Sequence, residues 1–290
     1  VHFEDMRAAL EAVPHILESD PRAVELIGKM LLDLARSNPA YRKLVNAIQG
    51  DPEAVLAVEY SADQEIDLDG KDLELQKYGN VVSLPDPAAQ AKIWKARKVG
   101  LGIIQSTRGD NKPTTIIEDA AVPVQHLADY ALGIREYARD LGVERTALYA
   151  HASAGFLPIA FVPNLKDPYG VTQMRLLAEK SLELVQKFGG TTSGEHGEGM
   201  LRAEFSARLF GPELTEAFQQ IKAVFDPHNL LNPGKIVHPP KMDDEKLLRY
   251  GSKYSTPYVI EDTVFSFKAD HGFDGAVEMC NGAGVCRKLN

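Results

Sequence analysis

The 290-residue chain is poor in cysteine, with two in all, and five residues separate them. That excludes a small secreted scaffold held by a disulfide framework, and a reducing cytoplasm is the expected setting. No apolar run approaches the roughly 18 to 20 residues of a membrane-spanning helix, so no span is expected. Positive charge is also scarce: 32 Lys and Arg against 41 Asp and Glu leave a net charge of -9, which argues against a nucleic-acid surface. The motifs of nucleotide and zinc-protease sites are missing too. There is no Gly-x-Gly-x-x-Gly after a strand, no phosphate-binding loop and no His-Glu-x-x-His. With 44% hydrophobic and 25% charged residues, what remains is an ordinary globular composition able to build a sizeable core. The chain opens on Val1 rather than Met, without a signal peptide, and reads as a piece of something longer.

Hydrophobic spacing gives the expected elements. Phe3 to Leu17 is amphipathic. Ser19-Asp20-Pro21 resembles a helix start, and Ala23, Val24, Ile27, Met30, Leu31 and Leu34 follow at helical spacing up to Asn38-Pro39. Val55–Tyr60 reads as a buried strand, Val81–Leu84 as a second, and Thr114–Glu118 as a third. Helices are expected over Ala88–Val99, which carries the single tryptophan Trp94, then over Leu127–Leu141, Val171–Phe188 and Pro212–Phe225. Gly100 to Pro113 reads as a loop. Thr146–His151 and Phe156–Val162, joined by Ala-Ser-Ala-Gly, make a hairpin. This order predicts an α+β fold, an antiparallel sheet with helices packed on one face, over residues 1–238. Residues 239–290 lose periodicity and read as a linker and poorly regular tail.

The chemistry concentrates in Thr191–Met200, Thr-Thr-Ser-Gly-Glu-His-Gly-Glu-Gly-Met, where glycines let backbone approach a ligand and a loop can aim Glu195 and His196 together. An ordinary glycine-rich turn with solvated charges is the plainer reading. His151, at a strand end before a flexible link, could join Glu195 and His196 as a metal ligand or base; alone it reads more readily as a structural histidine. Arg97 and Lys112 are candidate receptors for a substrate carboxylate, or simply surface cations. Cys280 and Cys286 are half of a cluster motif at most, because a four-iron cluster takes four cysteines.

Ser193-Gly-Glu-His-Gly-Glu-Gly199, followed by Asp226-Pro-His-Asn-Leu-Leu-Asn-Pro-Gly-Lys-Ile236, resembles the C-terminal half of FAD-linked oxidases of the vanillyl-alcohol oxidase superfamily, in the branch of D-lactate, glycolate and D-2-hydroxyglutarate dehydrogenases. The tail, Phe273 to Lys288, resembles the start of the ferredoxin-type module of bacterial fusions of that oxidase with an iron–sulfur oxidoreductase. The resemblance implies a ferredoxin-like substrate-binding cap domain over residues 1–238. It implies an FAD domain upstream, and an iron–sulfur module beginning within residues 239–290 that receives the electrons. The implied reaction is oxidation of a 2-hydroxy acid by hydride transfer to FAD, which the chain would not perform alone.

By motif, His196 corresponds to the base, His151 and Glu195 to two of three metal ligands, and Arg97 and Lys112 to substrate contacts. Asn232 and Lys235 correspond to the segment that meets the flavin. The metal branch has a second histidine seven residues after the first, where this chain has Pro158, and a polar contact where it has Ala160. Either a divalent metal is held by fewer ligands, or the site works without one. Two other classes remain open: a non-catalytic ligand-binding α+β module, and a metal-dependent hydrolase using His151, Glu195 and His196.

Overall fold

The computed structural model describes residues 1–61, 67–256, 262–280 and 284–287. Its order is β1 (His2–Phe3), α1 (Met6–Leu17), β2 (Ala23–Gly28), α2 (Lys29–Ser37), β3 (Ala54–Glu59), α3 (Leu68–Leu75), α4 (Pro87–Gln105), α5 (Leu127–Asp140), β4 (Thr146–His151), β5 (Ile159–Phe161), α6 (Pro168–Lys187), α7 (Ser206–Phe210), α8 (Pro212–Phe225) and α9 (Phe273–Glu278). The five strands form one antiparallel sheet in the order β1-β3-β2-β4-β5. The fold is α+β, as expected.

Alternation along the strands sorts the core into two clusters. Val24 and Leu26 of β2, Leu148 and Ala150 of β4, and Ile159 and Phe161 of β5 point into the larger one. There they meet Leu10 and Val13 of α1, Tyr130 and Ile134 of α5, and Leu177 and Leu182 of α6. This is the expected helical layer. The opposite face is not bare: Ile27, Val55, Ala147 and Tyr149 pack beneath Leu31 and Leu32 of α2 and Ile93 and Ile103 of α4. Central strands are thus covered on both sides, and β2 is an apolar run broken by one buried acid, Glu25.

Four expectations change. Residues 23–28 are a strand rather than the first turns of a helix; only 29–37 are helical, and Pro21 precedes a strand. The 81–84 segment is not a strand, its nearest pairing being the single bridge His2–Asn80. Thr114–Glu118 likewise contributes only the bridge Thr114–Phe161. Finally, α4 runs on through Gly100 to Gln105, because Gly100 lies where a Cβ would come within 2.8 Å of Leu31 Cδ2, so the glycine serves close packing of α4 on α2. The 55–60 strand, the hairpin and the helices expected over Leu127–Leu141, Val171–Phe188 and Pro212–Phe225 are present, the second of these helices starting three residues earlier, at Pro168.

Beyond residue 238 the chain is mostly irregular but is laid against the domain. Met242 is buried in the larger core, Asp243 pairs with Arg175 (3.1 Å), Asp270 with Arg108 (3.0 Å), and Glu278 with Lys166 (2.7 Å). Cys280 and Cys286 are exposed free thiols, and residues 281–283 and 288–290 of the cysteine-containing stretch lie outside the described residues. No helix among the described residues is long and apolar enough to cross a membrane.

Candidate active site

β2 and β4 lie side by side with Glu25 opposite His151. That register places a carboxylate and an imidazole together at the end of β4, on the face covered by α4. The Glu25 carboxylate accepts from His151 Nδ1 through Oε1 (2.6 Å) and from Arg97 Nε through Oε2 (2.9 Å). Glu25 is almost fully buried, and these two donors compensate the burial of its carboxyl oxygens. The Arg97 guanidinium also lies over the Tyr149 ring, 5.1 Å from its centre. Burial pushes the Tyr149 phenol up to about 12; Glu118 adds to that rise and Arg97 opposes it.

The 191–199 loop arrives from α6 after Gly189-Gly190 and is fastened from below by Asp119, which is completely buried. One Asp119 oxygen accepts from Glu195 N (3.0 Å). The other accepts from His196 N (3.0 Å), from Arg202 Nη2 (3.1 Å) and from Ser193 Oγ. Its backbone carbonyl accepts from Gly194 N (2.6 Å). Gly194 must lack a side chain, because a Cβ there would stand 2.9 Å from Phe156 Cδ2 and 3.1 Å from Ala121 Cβ.

So held, Glu195 faces both imidazoles: His151 Nε2 is 3.6 Å from Oε1 and His196 Nε2 is 3.7 Å from Oε2. His196 Nδ1 lies 3.3 Å from Asp119 Oδ1. Phe156 stacks on His151 at 5.5 Å and meets His196 edge-on at 6.2 Å. The result is a continuous chain, Arg97–Glu25–His151–Glu195–His196–Asp119–Arg202, gathered from six parts of the sequence.

Beneath it, Glu198 accepts from Thr192 Oγ1 (2.8 Å), and its carboxyl is raised by burial more than that bond lowers it. Glu198 Oε2 and Arg202 Nε are 4.0 Å apart, buried, and without hydrogen bonds. Glu118 is likewise raised by burial, with His196 and Arg202 opposing.

Of the residues singled out in the sequence, Arg97, His151, Glu195 and His196 therefore come together. Lys112 does not: its ammonium donates to Thr107 O (2.9 Å) and lies 3.2 Å from Met279 Sδ, among the groups that bind the tail. Asn232 has a left-handed φ of 47°, and Lys235 Nζ lies 3.9 Å from Met200 Sδ. Ile236 N donates to Gly199 O (2.7 Å), which ties their segment to the 191–199 loop. Sequence reasoning missed Glu25 and Asp119. Glu25 was hidden inside a run taken as helical, and Asp119 followed an apolar stretch taken as a strand. An acid interrupting an apolar run was the available signal.

The donor set does not fit a divalent metal. Among the described residues no group of three or more His, Cys, Asp or Glu side chains is disposed to hold an ion. His151 Nδ1 is spent on Glu25, and Pro158 offers no side-chain donor. The two exposed cysteines are likewise two ligands short of a four-iron cluster. A Cβ built on Gly197 or on Gly199, both left-handed (φ 76° and 58°), would meet nothing within 4 Å. Both glycines thus border open space, and their left-handed backbone is the conformation glycine favours.

Comparison with known proteins supplies the family. The chain is 30% identical over 302 residues to the D-2-hydroxyglutarate dehydrogenase of Escherichia coli (strain K12), covering 99% of this chain and 29% of that protein. It is 27% identical to the Glycolate oxidase subunit GlcD of Bacillus subtilis (strain 168), over 81% of this chain and 49% of that one. The chain thus spans between about a third and a half of these relatives' lengths. Among solved structures, 4-ethylphenol oxidase from Gulosibacter chungangensis, in its isoeugenol complex, has the same fold. Its TM-score is 0.56 at 13% identity, over 82% of this chain and 53% of that one. The family described as FAD linked oxidases, C-terminal domain, matches residues 1–236, and the chain belongs to it.

Proposed function

We propose that this chain is the substrate-side part of a flavin-dependent dehydrogenase that oxidises a 2-hydroxy acid. The observation that carries the reading is the convergence of Arg97, His151, Glu195 and His196 around two buried carboxylates. FAD, when bound by the whole protein, supplies the hydride acceptor. Asn232 and Lys235 would hold it on this side, in the segment tied to Gly199.

The chain's own residues do the rest. Arg97 receives the substrate carboxylate with its outer nitrogens, since Nε is taken by Glu25 and its face by Tyr149. His196 takes the hydroxyl proton at Nε2; Nδ1 faces the buried Asp119 carboxylate, which favours an N–H there and leaves Nε2 as acceptor. His151, oriented by Glu25, contributes a second polar group against the hydroxyl oxygen. Asp119 fixes the backbone of the loop that carries the base.

Two features support a covering flavin domain. α8 buries none of its residues, and Leu214, Ile221, Val224 and Phe225 recur along one face. Leu230 and Leu231, also well exposed, extend that stripe toward Asn232. An apolar surface of this extent calls for a partner. An iron–sulfur module downstream of Cys280 and Cys286 as electron acceptor, and a cytoplasmic setting, belong to the same reading.

The experiment is to express the natural open reading frame containing this sequence and record its visible spectrum with and without a 2-hydroxy acid. A yellow protein that bleaches supports the proposal. A colourless protein would favour a binding module, and turnover of an ester or amide without flavin would favour a hydrolase.

A further inference from the structure

We propose that the tail is a strap rather than a linker: its described parts, 243–256 and 262–280, are latched through Lys166 across the 107–113 loop and hold that loop against the end of β5. The strap belongs to the fold and acts alike whatever chemistry the site performs.

The root of the strap is fixed. Met242 is buried in the larger core, and its backbone N donates to Glu204 (2.6 Å). Asp243 pairs with Arg175 (3.1 Å), whose guanidinium also holds Glu204 (2.7 Å). Beyond this point apolar burial stops. Among the described residues no hydrophobic side chain after Met242 is buried, α9 buries none, and Val264, Phe265 and Val277 are mostly exposed.

Charge and aromatic rings take over instead, and Lys166 is their hub. It lies in the turn between β5 and α6. Its ammonium donates to Asp110 of the loop (2.7 Å) and to Glu278 of α9 (2.7 Å). It also stands 5.5 Å and 5.0 Å from the ring centres of Tyr250 and Tyr254. One cation thus joins the loop, the β5–α6 turn and both described parts of the tail. Burial lowers the ammonium, but Asp110 and Glu278 raise it more, so it stays charged. Two further contacts bridge tail and loop: Asp270 to Arg108 (3.0 Å), and Met279 Sδ to Lys112 Nζ (3.2 Å). The two parts of the tail are tied to each other by Arg249 Nη2 donating to Cys280 O and Thr256 Oγ1 donating to Asp274, both at 2.9 Å.

The loop under the strap has little else to hold it. Lys112 N donates to Pro163 O (3.1 Å) and Thr114 N to Phe161 O (2.7 Å). It joins α4, which carries Arg97, to the segment that ends at Asp119, so both arms of the site depend on where it lies. An arm held by charge on a fixed root can lift as a unit without opening the core. Asp110 and Arg108 are more than half exposed, so salt weakens their ion pairs, which it would not do to an apolar seat.

Hydrogen exchange read by mass spectrometry on the full-length protein tests the strap. At low salt the bonded amides of Lys112, Thr114, Ala276 and Cys280 should be protected relative to unstructured chain. Lys166→Met keeps the apolar stem and removes the charge. It should accelerate exchange in the tail and in the 107–113 loop together by about ten-fold or more, and leave α1 and α5 unchanged. Glu278→Gln should act in the same direction and add little to Lys166→Met. In the wild type, raising salt from about 0.05 M to about 1 M should accelerate the same peptides. A tail that exchanges like unstructured chain at low salt would make it a linker and overturn the proposal. So would a Lys166→Met variant that exchanges like the wild type, or one that loosens the tail and leaves the loop protected. The wild-type salt series decides the matter even if a variant fails to fold.

Discussion

Replacing Asp119 by asparagine should cost more stability than any surface change and should damage the base-carrying loop selectively. Asp119 is wholly buried and accepts from Ser193 Oγ, Glu195 N, His196 N and Arg202 Nη2. Asparagine has nearly the same shape but only one accepting oxygen. If that oxygen stays toward Arg202, His196 N and Ser193, the new amide faces Glu195 N and His196 Nδ1, donor against donor. Arg202, nearly buried, loses its hydrogen-bonded counter-charge and keeps only the Glu198 carboxyl, 4.0 Å away. Breaking a buried ion pair costs about 3 to 5 kcal/mol, and an orphaned buried N–H about 1 to 3 kcal/mol. Because local relaxation recovers part of this, a net loss of about 3 kcal/mol is expected, or roughly 6 to 12 °C in Tm for a domain of this size. Urea melts followed by circular dichroism measure it, with an unchanged slope showing that the same unit unfolds. A loss under about 1 kcal/mol would refute the assignment of Asp119 as the fastening of the loop.

Three further outcomes follow from the same geometry. Arg97→Lys keeps the charge but loses the fork, so KM for the hydroxy acid should rise about ten-fold or more at unchanged flavin content; an unaltered KM would remove Arg97 from the carboxylate site. Gly155 has φ of 70°, and a Cβ there would stand 2.1 Å from Val122 O, so Gly155→Ala should cost more than about 2 kcal/mol in a denaturant melt, and a neutral result would contradict the tight turn after β4. The third concerns Asp226, whose carboxyl is held down to about 2, first by the Lys222 ammonium and then by Leu230 N and Leu231 N, against opposing burial. Its folded value lies below the ordinary 3.8, so its contribution is complete above about pH 4 and is lost as the pH falls toward 2. Exchange of the Leu230 and Leu231 amides should accelerate across that window and lose the effect in Asp226→Asn; flat exchange down to pH 2 would contradict it.

Much of the fold was legible because it rests on local spacing. Helices such as α5 and α6 show an apolar stripe at a period near 3.6, and prolines or glycines mark their ends. The strand at Ala23–Gly28 was misread for a physical reason. It is covered on both faces, so Val24, Leu26 and Ile27 give no alternation, and Ala23, Val24 and Ile27 also satisfy helical spacing. Val81–Leu84 and Thr114–Glu118 have strand-like composition, but a strand also needs a partner edge, which spacing cannot report. At the site, the loop with Glu195 and His196 was visible from its glycines and charged residues. Glu25 and Asp119 were not, since their importance lies in partners across the fold: Arg97 is 72 positions from Glu25, and His196 is 77 from Asp119. Lys112 shows the converse, a cation in a fitting stretch of sequence whose ammonium the fold turns toward the tail.

The central claim is that His196 accepts the substrate proton in a flavin-dependent oxidation. The most direct measurement is stopped-flow reduction of the flavin by a 2-hydroxy acid, comparing the full-length protein with its His196→Ala variant. The prediction is that both proteins carry the same flavin, that the wild type bleaches, and that the variant bleaches at least about a hundred-fold more slowly. Equal rates of bleaching, or a full-length protein without flavin, would contradict it.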